Sequence, residues 1–247
     1  MSHVPQQSVD SVRPVARAVR LEARAVRPVA RAVRTLRAGT RLTHEIEVRR
    51  SRFLTTLART DDEDAARALV AEARSAHPQA RHHCSAWIIS PDGVNPLQHS
   101  SDDGEPAGTA GTPMLEVLRG SGLVDLTAVV TRYFGGILLG TGGLVRAYSS
   151  AVSGALERAP LVRLETLDVL ETTLAPADAG RIEADLRAAG AEILDVAWGA
   201  SVTLRLGARP EGRAGLDERL ARLSSGVSQF RHAGTRTVEV DDPAAPE

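Results

Sequence analysis

Residues 126–148 read Leu-Thr-Ala-Val-Val-Thr-Arg-Tyr-Phe-Gly-Gly-Ile-Leu-Leu-Gly-Thr-Gly-Gly-Leu-Val-Arg-Ala-Tyr. Leu126 to Phe134 is the most apolar strand candidate of the chain. A glycine loop follows, and Gly142 or Gly143 opens a helix with an inner face of Leu144, Tyr148, Ala151, Val152, Ala155 and Leu156. A helix N-terminus carries unpaired N–H donors and a partial positive charge. A glycine loop removes the side chains that would block an approach to it. Gly135, Gly136, Gly140, Gly142 and Gly143 are therefore candidate amide donors to an anion. Arg132 at the end of the strand and Arg146, leaning back from one turn into the helix, are candidate cations. The competing reading is close packing of the loop on the sheet, with both arginines paired to acids. The spacing fits neither a Walker A loop nor a dinucleotide fingerprint.

Working outward, residues 101–112 read Ser-Asp-Asp-Gly-Glu-Pro-Ala-Gly-Thr-Ala-Gly-Thr. Asp102, Asp103 and Glu105 admit three readings. They orient arginines such as Arg132 and Arg146 or cap the amides of their own loop. They ligate a divalent cation. Or they serve, with His82 or His83 as proton carrier, as the acids and bases of a metal- or carboxylate-dependent hydrolase of phosphate-containing or peptide substrates. Thr112, with Pro113 at the first position, is the expected cap of the next helix.

His82, His83 and Cys84 fall on a strand over 82–90, with His82 and Cys84 on one face and His83 on the other. Adjacent strand residues make a poor nucleophile and base, so Cys84 reads as a small buried hydrophobe. Arg81 is a third candidate phosphate contact. Ser51-Arg52-Phe53 adds a possible cation, or simply an exposed arginine beside a buried Phe53. Tyr133 and Tyr148 could stack on a base, although Tyr148 sits on the inner helix face.

Alternation at His44, Ile46 and Val48 predicts a strand, and residues 51–58 a second. Thr60 and Glu63 form a capping box for a helix bearing Ala65, Ala66, Leu69, Val70 and Ala73. Pro91-Asp92-Gly93 is a turn. Pro160 separates the halves. Beyond it, strands over 162–174, 191–198, 201–206 and 235–240 and helices over 176–189 and 214–223 give a ferredoxin-like βαββαβ order. Residues 1–40 stand apart. Val-Arg-Pro-Val-Ala-Arg-Ala-Val-Arg occurs at 12–20 and again at 26–34, and its prolines and missing acids predict a basic, disordered extension, the alternative being a basic arm that meets nucleic acid or a membrane. The expected units are 1–40 (extension), 41–159, 161–240 and a tail at 241–247.

The net charge of −1 provides no global field to recruit nucleic acid, so any basic surface must be local. The single cysteine rules out an internal disulfide framework and fits a reducing cytosol. No apolar run has the length of a membrane span, and the N-terminus lacks the apolar block of a secretory signal. A cytoplasmic protein that needs no metal or other cofactor and no membrane is expected.

The two glycine motifs, with Ser51-Arg52-Phe53 and Ala80-Arg81-His82-His83-Cys84, resemble the IMPACT/YigZ family from near Thr43 to about Val240. The resemblance implies an α/β protein of two domains. The first would be a two-layer α/β domain like a ribosomal-protein domain and elongation factor G domain IV. The second would be ferredoxin-like, as in elongation factor G domains III and V. It also implies a link to translation regulation, with RNA, the ribosome or a translation-associated protein as partner and no chemistry of its own. The extra partner-binding domain of eukaryotic members is not recognisable in this sequence.

Overall fold

The computed structural model describes residues 33–91 and 95–242. Most of the basic extension, and Asp92 and Gly93 of the expected turn, lie outside them. The elements in chain order are β1 (Val33–Leu36), β2 (Arg41–Val48), β3 (Ser51–Arg59), α1 (Glu63–Ala76), β4 (His82–Ile89), β5 (Leu97–Ser101), α2 (Gly111–Ser121), β6 (Leu126–Tyr133), α3 (Thr141–Leu156), β7 (Leu161–Leu174), α4 (Pro176–Ala188), β8 (Glu192–Trp198), β9 (Val202–Ala208), α5 (Arg213–Leu223) and β10 (Arg231–Asp241). The protein is mixed α/β, with two sheets and five α-helices among the described residues.

The first sheet is antiparallel in the order β2-β3-β6-β4-β5. Its centre is apolar on both faces, as a sheet covered on both sides requires. Phe53, Leu57, Cys84, Ala86, Ala128 and Val130 pack under α2 and α3. Ala58, Val129, Trp87 and Ile89 pack with Ala66, Leu69 and Ala73 of α1. The domain thus has helices on both faces, and the two-layer expectation is corrected to three. The α1 stripe was legible in the sequence; that it covers the second face of this sheet was not.

Two caps also differ from expectation. Asp62, not Thr60, caps α1, accepting from the Ala65 amide at 2.7 Å. The Thr60 hydroxyl is instead buried against that of Thr127, 2.7 Å away.

The second sheet pairs β8 with β9, β9 with β7 and β7 with β10, all antiparallel. The strand–helix–strand–strand–helix–strand succession is present. Leu170, Leu174, Val202, Leu204 and Leu206 meet Ile182, Leu186, Leu216 and Leu220 in its core. β1 extends this sheet by pairing Val33–Leu36 with Leu161–Leu164, while Leu36 is buried in the first core. Arg34 donates to Asp242 at 2.5 Å, and Arg37 pairs with Asp241 at 2.7 Å. Residues 33–40, within the segment read as extension, and residues 241–242, within the expected tail, thus take part in this sheet or in ion pairs with it. A partner strand and two carboxylates more than 200 residues away organise the first of these segments. Among the described residues no helix is long and apolar enough to cross a membrane.

Candidate functional site

Topology gathers the singled-out motifs at one end of the first sheet. The β2–β3 turn, the start of β4, the segment after β5 and the loop after β6 all lie there, because each strand pairs antiparallel to its neighbour. His82 stands opposite Arg132, and Arg132 opposite Phe53, in adjacent strands.

The three acids are all engaged within the protein. The Asp102 carboxylate accepts from the amides of Gly108 (2.7 Å), Ala110 (2.9 Å) and Gly111 (2.8 Å). It thereby caps α2, whose own N-cap residue, Ala110, has no oxygen to offer; Thr112 lies inside the helix and is not the cap. Burial alone would raise the Asp102 carboxyl, but these amides outweigh it and hold the group below its ordinary range. Asp103, at φ +42°, begins the turn that Gly104 continues at φ +84°. It pairs with Arg74 and accepts from the His83 amide at 2.6 Å. Glu105 accepts from Arg132 at 2.7 Å and from the Tyr148 hydroxyl at 2.8 Å.

Arg132 is therefore not a surface cation. It is 7% exposed, its guanidinium carbon lies 5.5 Å from the Phe53 ring centre and 5.7 Å from that of Phe134, and its Nε is buried without a partner among the described residues. Of the three acids only Glu105 meets Arg132: Asp103 takes Arg74, and Asp102 takes amides. Tyr148 is fully buried, edge-on to Phe53 at 5.2 Å, which removes it as a stacking platform. Tyr133 has its hydroxyl 2.9 Å from His77 Nδ1 and Arg52 over its ring.

Cys84 is buried on the α2/α3 face, with its thiol 3.0 Å from the Asp102 carbonyl and pushed up to about 12 by that burial. His83 is buried on the opposite face, donating from Nε2 to the His77 carbonyl at 3.2 Å. Burial holds its pKa below the usual imidazole value. His83 and the Glu105 carboxylate thus face opposite sides of the sheet. Among the described residues no three His, Cys, Asp or Glu side chains group as metal ligands do.

The glycine loop divides between packing and openness. The Gly135 amide donates to Ser51 Oγ at 3.1 Å, and a Cβ there would overlap the Arg50 carbonyl. Gly136 turns the loop, and Gly140 precedes α3 at φ +70° with no side-chain cap on that helix. Gly142 and Gly143 lie in its first turn. Arg146 leans back as expected: its Nη1 is 3.7 Å from where a Gly142 Cβ would sit. Arg146 also borders a cavity of about 260 Å³, together with Val48, Arg49, Leu139, Ala147 and Ser150.

Arg49 and Arg50 escaped the sequence reading. They form the β2–β3 turn at φ +48° and +65°, a backbone for which a two-residue hairpin normally selects Asn-Gly. Two arginines between alternating strands were the available signal. Neither they nor Arg81 and Arg146 pair with a carboxylate among the described residues, whereas Arg52 is held bidentately by Glu45 at 2.7 and 2.8 Å. Arg81 lies at the start of β4, two strand spacings or roughly 10 Å along the sheet from β3. The structure brings Arg146 and Arg49 to one cavity; it does not bring Arg81 or Arg132 to it.

The model of the Impact N-terminal domain matches residues 49–156, and a domain of unknown function (DUF1949) matches residues 172–227. IMPACT family member YigZ of Escherichia coli (strain K12) is 45% identical over 185 residues, covering 74% of this chain and 90% of that protein. IMPACT family member YvyE of Bacillus subtilis (strain 168) is 36% identical over 188 residues, covering 76% and 86%. A crystal structure of a hypothetical protein superposes with a TM-score of 0.53 at 40% identity, over 81% of this chain and 97% of that one. The chain belongs to the IMPACT family.

Proposed function

We propose that this chain is a non-catalytic binding protein linked to translation, and that it meets a negatively charged partner at the basic end of its first sheet. The partner is RNA, the ribosome or a translation-associated protein. One observation carries the reading. At that end every loop carboxylate is consumed internally, while Arg49, Arg50, Arg81 and Arg146 have no carboxylate partner among the described residues. Unneutralised guanidinium groups beside an uncapped helix start form a surface that favours anions.

The translation link comes from family membership and from a fold-level analogy. In that analogy the units 41–159 and 161–240 correspond to domain IV and to domains III and V of elongation factor G. A cytoplasmic location belongs to the same proposal.

Co-sedimentation with crude ribosomes across a salt series tests it. Association that falls steeply with salt supports the reading. No association at low salt overturns it.

A further inference from the structure

We propose that the cavity between the end of β2 and the first turns of α3 receives an apolar side chain from an acidic segment of a partner protein. This rests on the anion-facing reading above and narrows the partner's chemistry. The cavity measures about 260 Å³. That volume accommodates one large apolar side chain and lies just under the range of about 300 to 1,000 Å³ that sites for whole small molecules occupy. Val48, Leu139 and Ala147 give it an aliphatic lining, and Arg49 and Arg146 supply positive charge at its edge.

The loop that supplies Leu139 leaves apolar groups in water. Leu138 is 81% exposed, Phe134 53% and Ile137 40%. Three large apolar side chains exposed on one short loop favour an interaction surface there. Nucleic acid would call for flat aromatic platforms along a basic groove. Here one phenylalanine stands among aliphatic groups, and both tyrosines are held by protein partners. An anchor pocket beside apolar groups and a charged edge is the pattern of a protein interface. With the arginines unneutralised, the complementary surface is acidic.

The test is selection of a phage-displayed library of random linear peptides on the full chain, followed by affinity measurement with synthetic copies of the enriched sequences. The enriched sequences should combine Asp or Glu with Phe, Leu, Ile or Met. Ser150→Trp, which fills the cavity from an exposed position, and Arg146→Glu, which reverses its charge, should each weaken them at least about tenfold. Both variants must keep the wild-type melting temperature. A library that yields no such motif, or motif peptides that bind Ser150→Trp unchanged, would overturn the proposal. So would a single-stranded RNA oligomer that binds the wild type and is lost in Ser150→Trp, since the occupant would then be nucleic acid. Salt-sensitive ribosome association that persists while the selection fails would leave the broader reading standing and this one refuted.

Discussion

Arg132 and Glu105 form a buried ion pair, 2.7 Å from Nη1 to Oε1, with both side chains less than a tenth exposed. β6 supplies the arginine, the acidic loop the carboxylate, and Tyr148 of α3 a second donor to the same oxygen. The pair thus fastens the acidic loop to the sheet and to the helix that follows the glycine loop. Burying two charges is costly, and removing one partner exposes that cost. Glu105→Ala should destabilise the protein by about 3–5 kcal/mol in urea unfolding. Asp103→Asn, at the more exposed pair with Arg74, should cost about 1 kcal/mol or less. Equal effects would contradict the difference in burial.

Asp102 caps α2 from a distance, and its loss frees three amides at once. Asp102→Ala should cost about 1–2 kcal/mol. The native carboxyl lies below its ordinary value, so the unfolded chain binds the proton more readily. Its contribution is complete above the ordinary carboxylate value, about 3.9, and is lost as pH falls through the lower native value. Melting curves from neutral pH down to about pH 3 should show a deficit of the alanine variant that narrows at the acid end.

His83 has the same sign by a different route. Burial depresses its native pKa, so its neutral form belongs to the folded state. Stability should be full above the ordinary imidazole value of about 6.5 and should decline as pH falls toward the native value. His83→Phe should flatten that part of the stability profile. A wild-type profile already flat there would count against the buried neutral ring.

Gly135 and Arg50 approach so closely that a methyl group cannot be placed between them. Gly135→Ala should push the β2–β3 turn away from the loop and lower the melting temperature by several degrees, because the clash is with backbone rather than a yielding side chain. Gly136→Ala has open space but a positive φ, and should cost only about 1 kcal/mol.

Cys84 should resist alkylation in the native protein and react only on unfolding, since its thiol is fully buried and that burial pushes its pKa up to about 12. Mass spectrometry after iodoacetamide treatment, with and without denaturant, reads this directly. Rapid native labelling would reopen a nucleophilic role.

What the residues disclosed in advance follows from how local each signal is. The alternation of Val202, Leu204 and Leu206 and the apolar runs of β4 and β6 announced their strands, because side-chain period alone determines them. β1 did not, since Val33–Leu36 looks like the arginine-rich repeat before it and becomes a strand only through β7. β5, Leu-Gln-His-Ser-Ser, is an exposed edge strand whose visible anchor is His99 stacked on Trp87 at 3.9 Å. In the site, caps and ion pairs were one of the three readings that Asp-Asp-Gly-Glu admitted, and the motif alone did not choose among them. That Asp103 would meet Arg74, and that Arg132 would be interior, depends on approaches across the sheet that spacing does not encode. Arg49 and Arg50 were visible as residues but not as a left-handed turn.

The most direct test of the anion-facing end is co-sedimentation with crude ribosomes of the wild type and of a variant carrying Arg49→Glu, Arg50→Glu and Arg146→Glu. All three side chains are without carboxylate partners among the described residues, so the variant should fold with little change in melting temperature. The wild type should pellet at low salt and be released as salt rises, while the variant stays in the supernatant throughout. A variant that pellets like the wild type, or wild-type binding indifferent to salt, would contradict the account.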